Sequence, residues 1–253
     1  IDYTMKETDY DEVRRVVEEN HINLVGMHCV TVAALNAYRM ARVVKEASKN
    51  CVVIIGGSHV TAVKEEPLDN NCDIVFVGEA ESAFTEFLNV LPDISKEMNP
   101  HPSDGPASAT LKNISKLQNI RGIAYRDENG GCAFTGNRPR IKNLDVVPYP
   151  SRHLFPFPKY YRTPFRIEPV NSMQLVSSRG CTEHCIFCFR GGFKDTITFR
   201  SPKNVLGEIK LNLDKFNVRQ VDFIDEYLTY DLDHLGEIAQ RIKDDKLGIH
   251  WAA

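Results

Sequence analysis

Residues 1–91 alternate between two hydrophobic patterns. Apolar positions recur at helical spacing after Asp9, whereas residues 23–28, 52–55 and 73–77 form short apolar or β-branched runs with few polar positions. Strands of this kind, separated by helices, are typical of a parallel sheet that helices cover on both faces. The pattern therefore predicts a doubly wound, Rossmann-like α/β domain.

Residues 92–170 have a different composition. Prolines and serines over residues 92–117 predict an irregular surface insertion, and the pattern of residues 122–135 predicts a β-hairpin with a Gly-containing turn. Residues 144–169 then mix prolines with aromatic residues, which favours an ordered bridge packed on both neighbouring domains.

Strand and helix patterns alternate again over residues 171–253. The predicted strands are residues 173–177, 220–224 and 248–251, and the predicted helices begin after the capping residues Ser201 and Asp231. One βα unit of a barrel takes about 31 residues. This segment is therefore expected to form only the first half of a partial (β/α) barrel.

Composition and charge exclude several classes of protein. With 42% hydrophobic and 26% charged residues, the chain of 253 residues can bury a sizeable core and is not a disordered tail. Its apolar runs are far shorter than the roughly 20 residues of a membrane-spanning helix. No secretion signal is apparent, so a cytoplasmic location is expected. The 31 Lys and Arg residues are balanced by 34 Asp and Glu without a basic stripe, which disfavours a nucleic-acid partner.

Three of the seven cysteines, Cys181, Cys185 and Cys188, lie within eight residues of one another. Three thiolates on a loop after a strand fit a metal cluster better than a set of disulfides. Three protein ligands leave one iron of a four-iron cluster without a protein ligand. Such an open position implies that a small molecule binds there, as in catalytic zinc sites.

Two alternatives explain the same cysteines. A zinc ion with His184 as fourth ligand would need a strained loop, because His184 is adjacent to Cys185, and zinc sites usually pair ligand couples from separate turns. Free thiols without a metal are the other alternative, but thiols this close in a reducing compartment are seldom accidental. We favour the cluster.

The string from Cys181 to Cys188 resembles the CxxxCxxC loop of the radical S-adenosylmethionine (SAM) superfamily, with Phe187 at its usual aromatic position. The resemblance implies that Cys181, Cys185 and Cys188 hold a 4Fe–4S cluster whose fourth iron is chelated by SAM. It further implies reductive cleavage of SAM to a 5'-deoxyadenosyl radical, with an electron donor such as a flavodoxin or ferredoxin. Phe187 would lie near the adenine; packing in the core is the equal alternative.

Residues 199–202 and 223–226 are similar to segments that follow the cluster loop in the cobalamin-binding branch of that superfamily. The resemblance implies that Asp225 or Glu226 binds the ammonium group of SAM and that Arg200 binds its carboxylate. A structural ion pair is an equal alternative for each of them.

The N-terminal domain carries strings similar to the GGxHxT and GExE pair of cobalamin-binding domains, at residues 56–61 and 78–81. Glycines at strand ends let the backbone approach a bulky ligand at the carboxyl edge of the sheet, although two glycines alone also fit a tight turn. The resemblance implies that cobalamin contacts Gly56, Gly57, His59, Thr61, Gly78, Glu79 and Glu81. Thr31 follows an earlier strand and is expected to reach the same edge of the sheet.

One departure concerns the cobalt ligand. The DxHxxG string of many cobalamin domains is absent, and the place where it would lie precedes Ile1, since residues 1–2 look like the end of the second strand. The domain is therefore expected to be incomplete at its N-terminus. His59 is not assigned as a cobalt ligand; it is expected to organise the backbone or to lie at the surface.

A methylthiotransferase, which carries a second cluster on three N-terminal cysteines, is a related alternative. Cys29 follows its strand, however, while Cys51 and Cys72 precede theirs, so these thiols are expected at opposite ends of the sheet as buried apolar residues. The resemblance thus implies a cobalamin-dependent radical SAM methyltransferase acting on a small-molecule or lipid-like substrate. A cyclase or rearrangement enzyme and a non-catalytic corrinoid-binding protein stay open. The expected domains are residues 1–91, 92–170 and 171–253.

Overall fold

The computed structural model describes residues 7–94, 111, 113–155, 171–189, 191 and 195–253. The chain divides into two compact units, Thr8–Arg140 and Ile141–Ala253. Within the described ranges, no helix has the length and apolar character needed to cross a membrane. Residues 1–2, most of the predicted insertion and residues 156–170 of the predicted bridge lie outside the described residues.

The first unit is built on one five-stranded sheet in the order β1-β2-β3-β4-β5. Its strands are β1 Leu24–His28, β2 Val52–Gly56, β3 Ile74–Phe76, β4 Ile123–Arg126 and β5 Cys132–Phe134. The first three strands are parallel, which confirms the predicted α/β class. The β4–β5 hairpin differs from the expected division of the chain, because it continues this sheet in antiparallel pairing instead of standing in a separate segment.

Helices pack on the sheet of the first unit. They are α1 Tyr10–Glu19, α2 Ala34–Ala47, α3 Ser58–Val63, α4 Glu66–Asp69 and α5 Glu81–Ile94, with short 3-10 helices at Thr31–Ala33 and Ile114–Asn119. Asp9 caps α1 as predicted, since its carboxylate accepts a hydrogen bond from the Glu12 amide at 2.9 Å. Phe87 of α5 is fully buried against Phe76 and Ile123, which fixes α5 on the sheet.

The second unit has a parallel sheet in the order β10-β9-β6. Its strands are β6 Ser172–Leu175, β9 Gln220–Phe223 and β10 His250–Ala252, and its helices are α6 Pro202–Phe216 and α7 Leu232–Asp244. Both predicted caps are confirmed: Ser201 accepts from the Asn204 amide at 3.1 Å and Asp231 from the His234 amide at 2.9 Å. The alternation of strand and helix matches the start of a (β/α) barrel.

The chain before β6 packs on α6. Tyr149 donates its hydroxyl to the Asn204 carbonyl at 2.8 Å, and the Ser201 amide donates to the Asp145 carboxylate at 2.8 Å. A carboxylate at this end of α6 is favoured by the helix dipole. These contacts fix residues 141–155 beside the N-terminus of α6.

Candidate functional site

The three clustered cysteines lie on a loop whose two ends are tied together. We call residues 180–197 the cysteine loop. It begins after β7, Ser178–Arg179, and ends before β8, Thr198–Phe199, and these two short strands pair in antiparallel fashion. The Arg200 amide also donates to the Ser177 carbonyl at 2.8 Å. We call residues 177–180 the neck of the cysteine loop. These pairings hold the neck in place where the chain leaves the carboxyl end of β6.

The thiols on this loop are accessible and unpaired. Cys181 is half-buried, Cys185 and Cys188 are exposed, and none of the chain's seven cysteines, all of them in described residues, forms a disulfide. The Glu183 amide donates to Cys181 Sγ at 3.4 Å, a contact of the kind that tunes cluster thiolates. Each thiolate of a four-iron cluster binds a different iron, so the thiols need not converge on one point. The donor set fits such a cluster.

His184 and the three cysteines do not form a preformed zinc site. Across the described parts of the chain, no three His, Cys, Asp or Glu side chains are grouped to hold a single metal ion, and this includes the three cysteines with His184. His184 Nε2 instead lies 3.4 Å from the Asp195 carboxylate, with both side chains exposed.

Phe187 lies at an apolar tip of the cysteine loop. It is 89% exposed, and its neighbours Ile186 and Phe189 are exposed as well. This excludes packing in the core, which was the alternative for Phe187. Contact with the adenine of SAM stays a prediction.

The acidic pair after β9 binds the neck of the cysteine loop. The Asp225 carboxylate accepts hydrogen bonds from the Ser177 amide at 3.0 Å, from the Ser177 and Ser178 hydroxyls at 2.8 and 2.6 Å, and from the Ser178 amide. Glu226 Oε2 accepts from the Gly180 amide at 3.2 Å. The sequence did not indicate these contacts, because they join positions that are more than forty residues apart.

Arg200 is held inside the second unit. Its guanidinium donates to the Asn204 side chain at 2.7 Å and to the Val176 carbonyl at 2.8 Å, and it forms an ion pair with Glu208 at 2.7 Å. Its Nη2 is buried and has no hydrogen-bond partner among the described residues. The structural ion pair considered for Arg200 is thus present, and contact of Arg200 with the SAM carboxylate stays a prediction.

The predicted cobalamin residues come together at the carboxyl edge of the first sheet. Thr61 donates its hydroxyl to the Gly57 carbonyl at 2.9 Å and accepts from the Gly78 amide at 3.1 Å, so it joins the ends of β2 and β3. His59 Nδ1 lies 3.3 Å from the Thr31 hydroxyl, which joins the end of β1 to α3. Glu79 lies in the loop after β3, and Glu81 opens α5.

This edge fits a bulky ligand on two observations. A Cβ at Gly78 would meet no atom of the described residues within 4 Å, so the backbone there is not covered by them. Val32 and Leu35, beside Thr31, are 96% and 83% exposed and give this rim an apolar surface. Bare backbone and exposed apolar side chains suit the large, mostly apolar face of a corrin ring.

His59 is directed toward protein groups. Its side chain is only 12% exposed, with Nδ1 beside Thr31 and Nε2 at 3.6 Å from the Glu66 carboxylate. This geometry agrees with a role in organising the backbone, as the sequence suggested. It leaves the His59 ring poorly placed to bind a metal ion at the carboxyl edge of the sheet.

The N-terminal cysteines do not form a second cluster site. Cys29, Cys51 and Cys72 are all buried, and burial raises the pKa of the Cys72 thiol to about 12. Burial also raises the pKa of Cys29. The burial of all three thiols agrees with the expected role as buried apolar residues.

Two comparisons with known proteins bear on the family. Residues 1–88 match the sequence model of a family described as the B12 binding domain. The fold is similar to that of the cobalamin-dependent S-adenosylmethionine radical enzyme OxsB, with a TM-score of 0.73 and 16% identity over 97% of this chain and 32% of that chain. Residues 1–88 thus carry the B12-binding domain predicted from the sequence, and the chain has the fold of a cobalamin-dependent radical SAM enzyme.

Further proteins are similar to this chain in fold or in sequence. The radical SAM methyltransferase TsrM of Kitasatospora setae matches with a TM-score of 0.64 and 12% identity over 94% of this chain and 43% of that chain. An uncharacterized methyltransferase of Pyrococcus horikoshii is 28% identical and covers 100% of this chain and 50% of its own length.

Two further curated relatives differ in reaction. Cytidylyl-2-hydroxyethylphosphonate methyltransferase of Streptomyces wedmorensis is 26% identical over 96% of this chain and 46% of its own length. Anaerobic magnesium-protoporphyrin IX monomethyl ester cyclase of Rubrivivax gelatinosus is 24% identical over 99% of this chain and 42% of its own length. The chain thus spans half the length of these curated relatives or less.

Proposed function

We propose that this chain holds the cofactors of a cobalamin-dependent radical SAM enzyme. Cys181, Cys185 and Cys188 would bind a 4Fe–4S cluster, and SAM would bind to the iron that lacks a cysteine. The observation that carries the proposal is the set of three accessible, unpaired thiols on one loop that follows the carboxyl end of the parallel strand β6. An electron donor such as a flavodoxin or ferredoxin belongs to the same proposal.

Cobalamin would bind at the carboxyl edge of the sheet in the first unit, in the crevice formed by the loops after β1, β2 and β3. Gly56, Gly57 and Gly78 would let it approach the backbone, while Thr31 and Thr61 hold the loops that form the crevice. When bound, the cluster and SAM would supply a 5'-deoxyadenosyl radical, and cobalamin would supply a transferable methyl group. The residues of this chain bind and orient these groups.

Methyl transfer to an unactivated carbon of a small-molecule or lipid-like substrate is the reaction we propose. Two relatives are methyltransferases by name. TsrM, whose structure matches this chain, is named a methyltransferase as well. A ring-forming reaction is the second candidate, because one relative is a cyclase. Product analysis of the complete enzyme with labelled methyl-SAM separates the two, since only methyl transfer places the label in the product.

Cofactor binding can be tested directly on this chain. Anaerobic reconstitution with iron and sulfide is expected to give the broad visible absorption of an iron–sulfur cluster, and gel filtration with hydroxocobalamin is expected to show a coloured complex. The triple variant Cys181→Ala, Cys185→Ala, Cys188→Ala should lose the cluster and keep cobalamin. The control Cys132→Ala, a half-buried thiol of β5, should keep both.

Two results would overturn the proposal. A wild-type chain that takes up zinc but no iron and sulfide would remove the radical SAM function. A chain that binds the cluster and cobalamin but never cleaves SAM under reductant, even within the complete protein, would favour the non-catalytic corrinoid carrier.

A further inference from the structure

We propose that Asp225 is a positioning residue for the cysteine loop and that it acts as a hydrogen-bond acceptor, not as a ligand of SAM. This inference rests on the proposed function, because it concerns the loop that would hold the cluster. It also decides between the two roles that the sequence left open for Asp225.

The hydrogen bonds to Asp225 come from residues just before the cysteine loop. Ser177 and Ser178 are separated from the cysteine loop only by Arg179, and Cys181 follows three residues after Ser178. Both serines are 1% exposed, so their amides and hydroxyls cannot turn to water. Asp225 satisfies all four of these donors. Without it, a group of buried donors at the neck would lack an acceptor, which disfavours this path of the backbone.

The Asp225 carboxylate can accept only a limited number of hydrogen bonds. Two carboxylate oxygens offer about four lone-pair positions. Oδ1 of Asp225 already accepts from both hydroxyls and both amides, and Oδ2 accepts from the Ser177 amide at 3.0 Å. Oδ1 therefore has no position left, and an ammonium group could approach only Oδ2, beside the Ser177 amide. Glu226 is exposed and uses Oε2 for one amide, so it is the member of the pair with room for the SAM ammonium.

Asp225 fixes the chain that leads to the first cluster ligand, Cys181. β9 pairs with β6 in register, and Leu175 lies opposite Phe223. Asp225 extends this register by two residues and fixes the chain where it leaves the sheet toward Cys181. Groups that orient metal ligands without touching the metal commonly change metal affinity by about 10–100-fold. Asp225 is therefore expected to act on cluster assembly.

Two variants of Asp225 separate hydrogen bonding from charge. Asp225→Asn keeps an oxygen at the Oδ1 position for the serine donors but removes the negative charge. Asp225→Ala removes the acceptor altogether. Asp214→Ala, an exposed aspartate of α6, is the matched control. Iron and acid-labile sulfide per chain are measured after anaerobic reconstitution, and the Kd for SAM is measured by equilibrium dialysis on the cluster-loaded protein.

The expected result is that Asp225→Ala loses about tenfold or more of its cluster content, while Asp225→Asn and Asp214→Ala assemble the cluster as the wild type does. Asp225→Asn should also bind SAM with wild-type Kd, which a charged SAM ligand could not do. The inference is overturned if Asp225→Ala assembles a full cluster, if Asp225→Asn is as empty as Asp225→Ala, or if Asp225→Asn keeps the cluster but binds SAM about tenfold more weakly.

A second variant covers the case in which Asp225→Ala fails to fold. Ser177→Ala with Ser178→Ala removes two donors to Asp225 and leaves the backbone bonds in place. Folding is checked by circular dichroism, and cluster content should fall below that of the wild type; an unchanged content would overturn the inference. If the wild-type chain itself assembled no cluster, the proposed function would fail, which is distinct from a failure confined to Asp225.

Discussion

Arg200 and Glu208 form an ion pair inside the second unit, with 2.7 Å between Nη1 and Oε2. The Glu208 carboxylate is only 2% exposed, and its Oε1 binds Arg152 at 2.6 Å. One buried carboxylate is therefore shared by two guanidinium groups. Because Arg152 lies in the chain before β6, this carboxylate joins that segment to α6.

Glu208→Gln is expected to destabilise the second unit by about 3 kcal/mol, because it leaves two buried guanidinium groups facing a neutral amide. Urea unfolding followed by tryptophan fluorescence measures this, since the single tryptophan, Trp251, lies in β10. The control is Glu237→Gln, which removes an exposed i,i+4 pair with Arg241. The control should change stability by less than about 1 kcal/mol. Equal effects would show that the shared carboxylate does not stabilise the fold.

The glycines of the first unit predict a graded series of substitutions. Gly57 has φ +117°, and a Cβ there would overlap the carbonyl oxygen of Cys29. Gly57→Ala should therefore cost about 3 kcal/mol or more. Gly78 has φ +77° but is not covered by the described residues, so Gly78→Ala should cost only the backbone strain of about 1–2 kcal/mol.

The matched control for this series is Gly236 of α7, where a Cβ meets nothing within 4 Å. Gly236→Ala should raise stability by up to about 1 kcal/mol, since alanine favours the helix. Thermal unfolding followed by circular dichroism ranks the three variants. A Gly57→Ala protein as stable as Gly78→Ala would contradict the close approach of Gly57 to Cys29.

Local signals explain which elements were predictable. The apolar run at residues 52–55 has no polar alternation, and Ser201 with Pro202 and Asp231 provide capping patterns, so the strand and helix starts followed from sequence. The cysteine loop was predictable because its three cysteines lie within eight residues of one another. The fold class and the family followed from these short segments.

Contacts between distant positions were not predictable. Asp225 meets Ser177 and Ser178 only because β9 pairs with β6 in a particular register, which a single sequence does not specify. The hairpin of β4 and β5 was predicted as a local unit, but no local pattern shows that β4 adds to the edge of β3. The same limit applies to Arg200, whose partner Glu208 is one of several acidic residues on the two helices of the second unit.

Five of the seven thiols are expected to fall into two reactivity classes before any cluster is assembled. Cys185 and Cys188 are exposed and should be alkylated by iodoacetamide at once, whereas buried Cys29, Cys51 and Cys72 should react only after unfolding. Mass spectrometry of the native, metal-free chain reads each site. Rapid native alkylation of Cys72 would contradict its burial and its raised pKa.

The Cys72 thiol also predicts a loss of stability at high pH. Its folded pKa is raised, so its protonated form is retained in the native state while the unfolded chain ionises near its usual value of about 9. Stability is thus unaffected below that value and falls as pH rises above it. Cys72→Ala should flatten this decline in urea unfolding, and Cys132→Ala, whose half-buried thiol has a smaller change in pKa, should flatten it less.

The ion pair of Arg138 with Glu86 gives the opposite dependence on pH. The Arg138 guanidinium holds the pKa of Glu86 below its usual value of 4.5. The pair therefore stabilises the first unit above that value, and the contribution is lost as pH falls through the lower, folded pKa. Because Glu86 is half-exposed, solvent screening limits the contribution to about 1 kcal/mol or less.

Glu86→Gln should accordingly lower the Tm of the first unit at neutral pH and leave it unchanged at a pH below the lowered pKa of Glu86, where the wild-type carboxyl is protonated as well. Glu128→Gln, an exposed carboxylate in the turn between β4 and β5, is the control and should not alter Tm at either pH. Added salt should shrink the difference at neutral pH, because the pair is partly open to solvent. A difference that persisted unchanged in acid would mean that Glu86 acts through its shape and not through its charge.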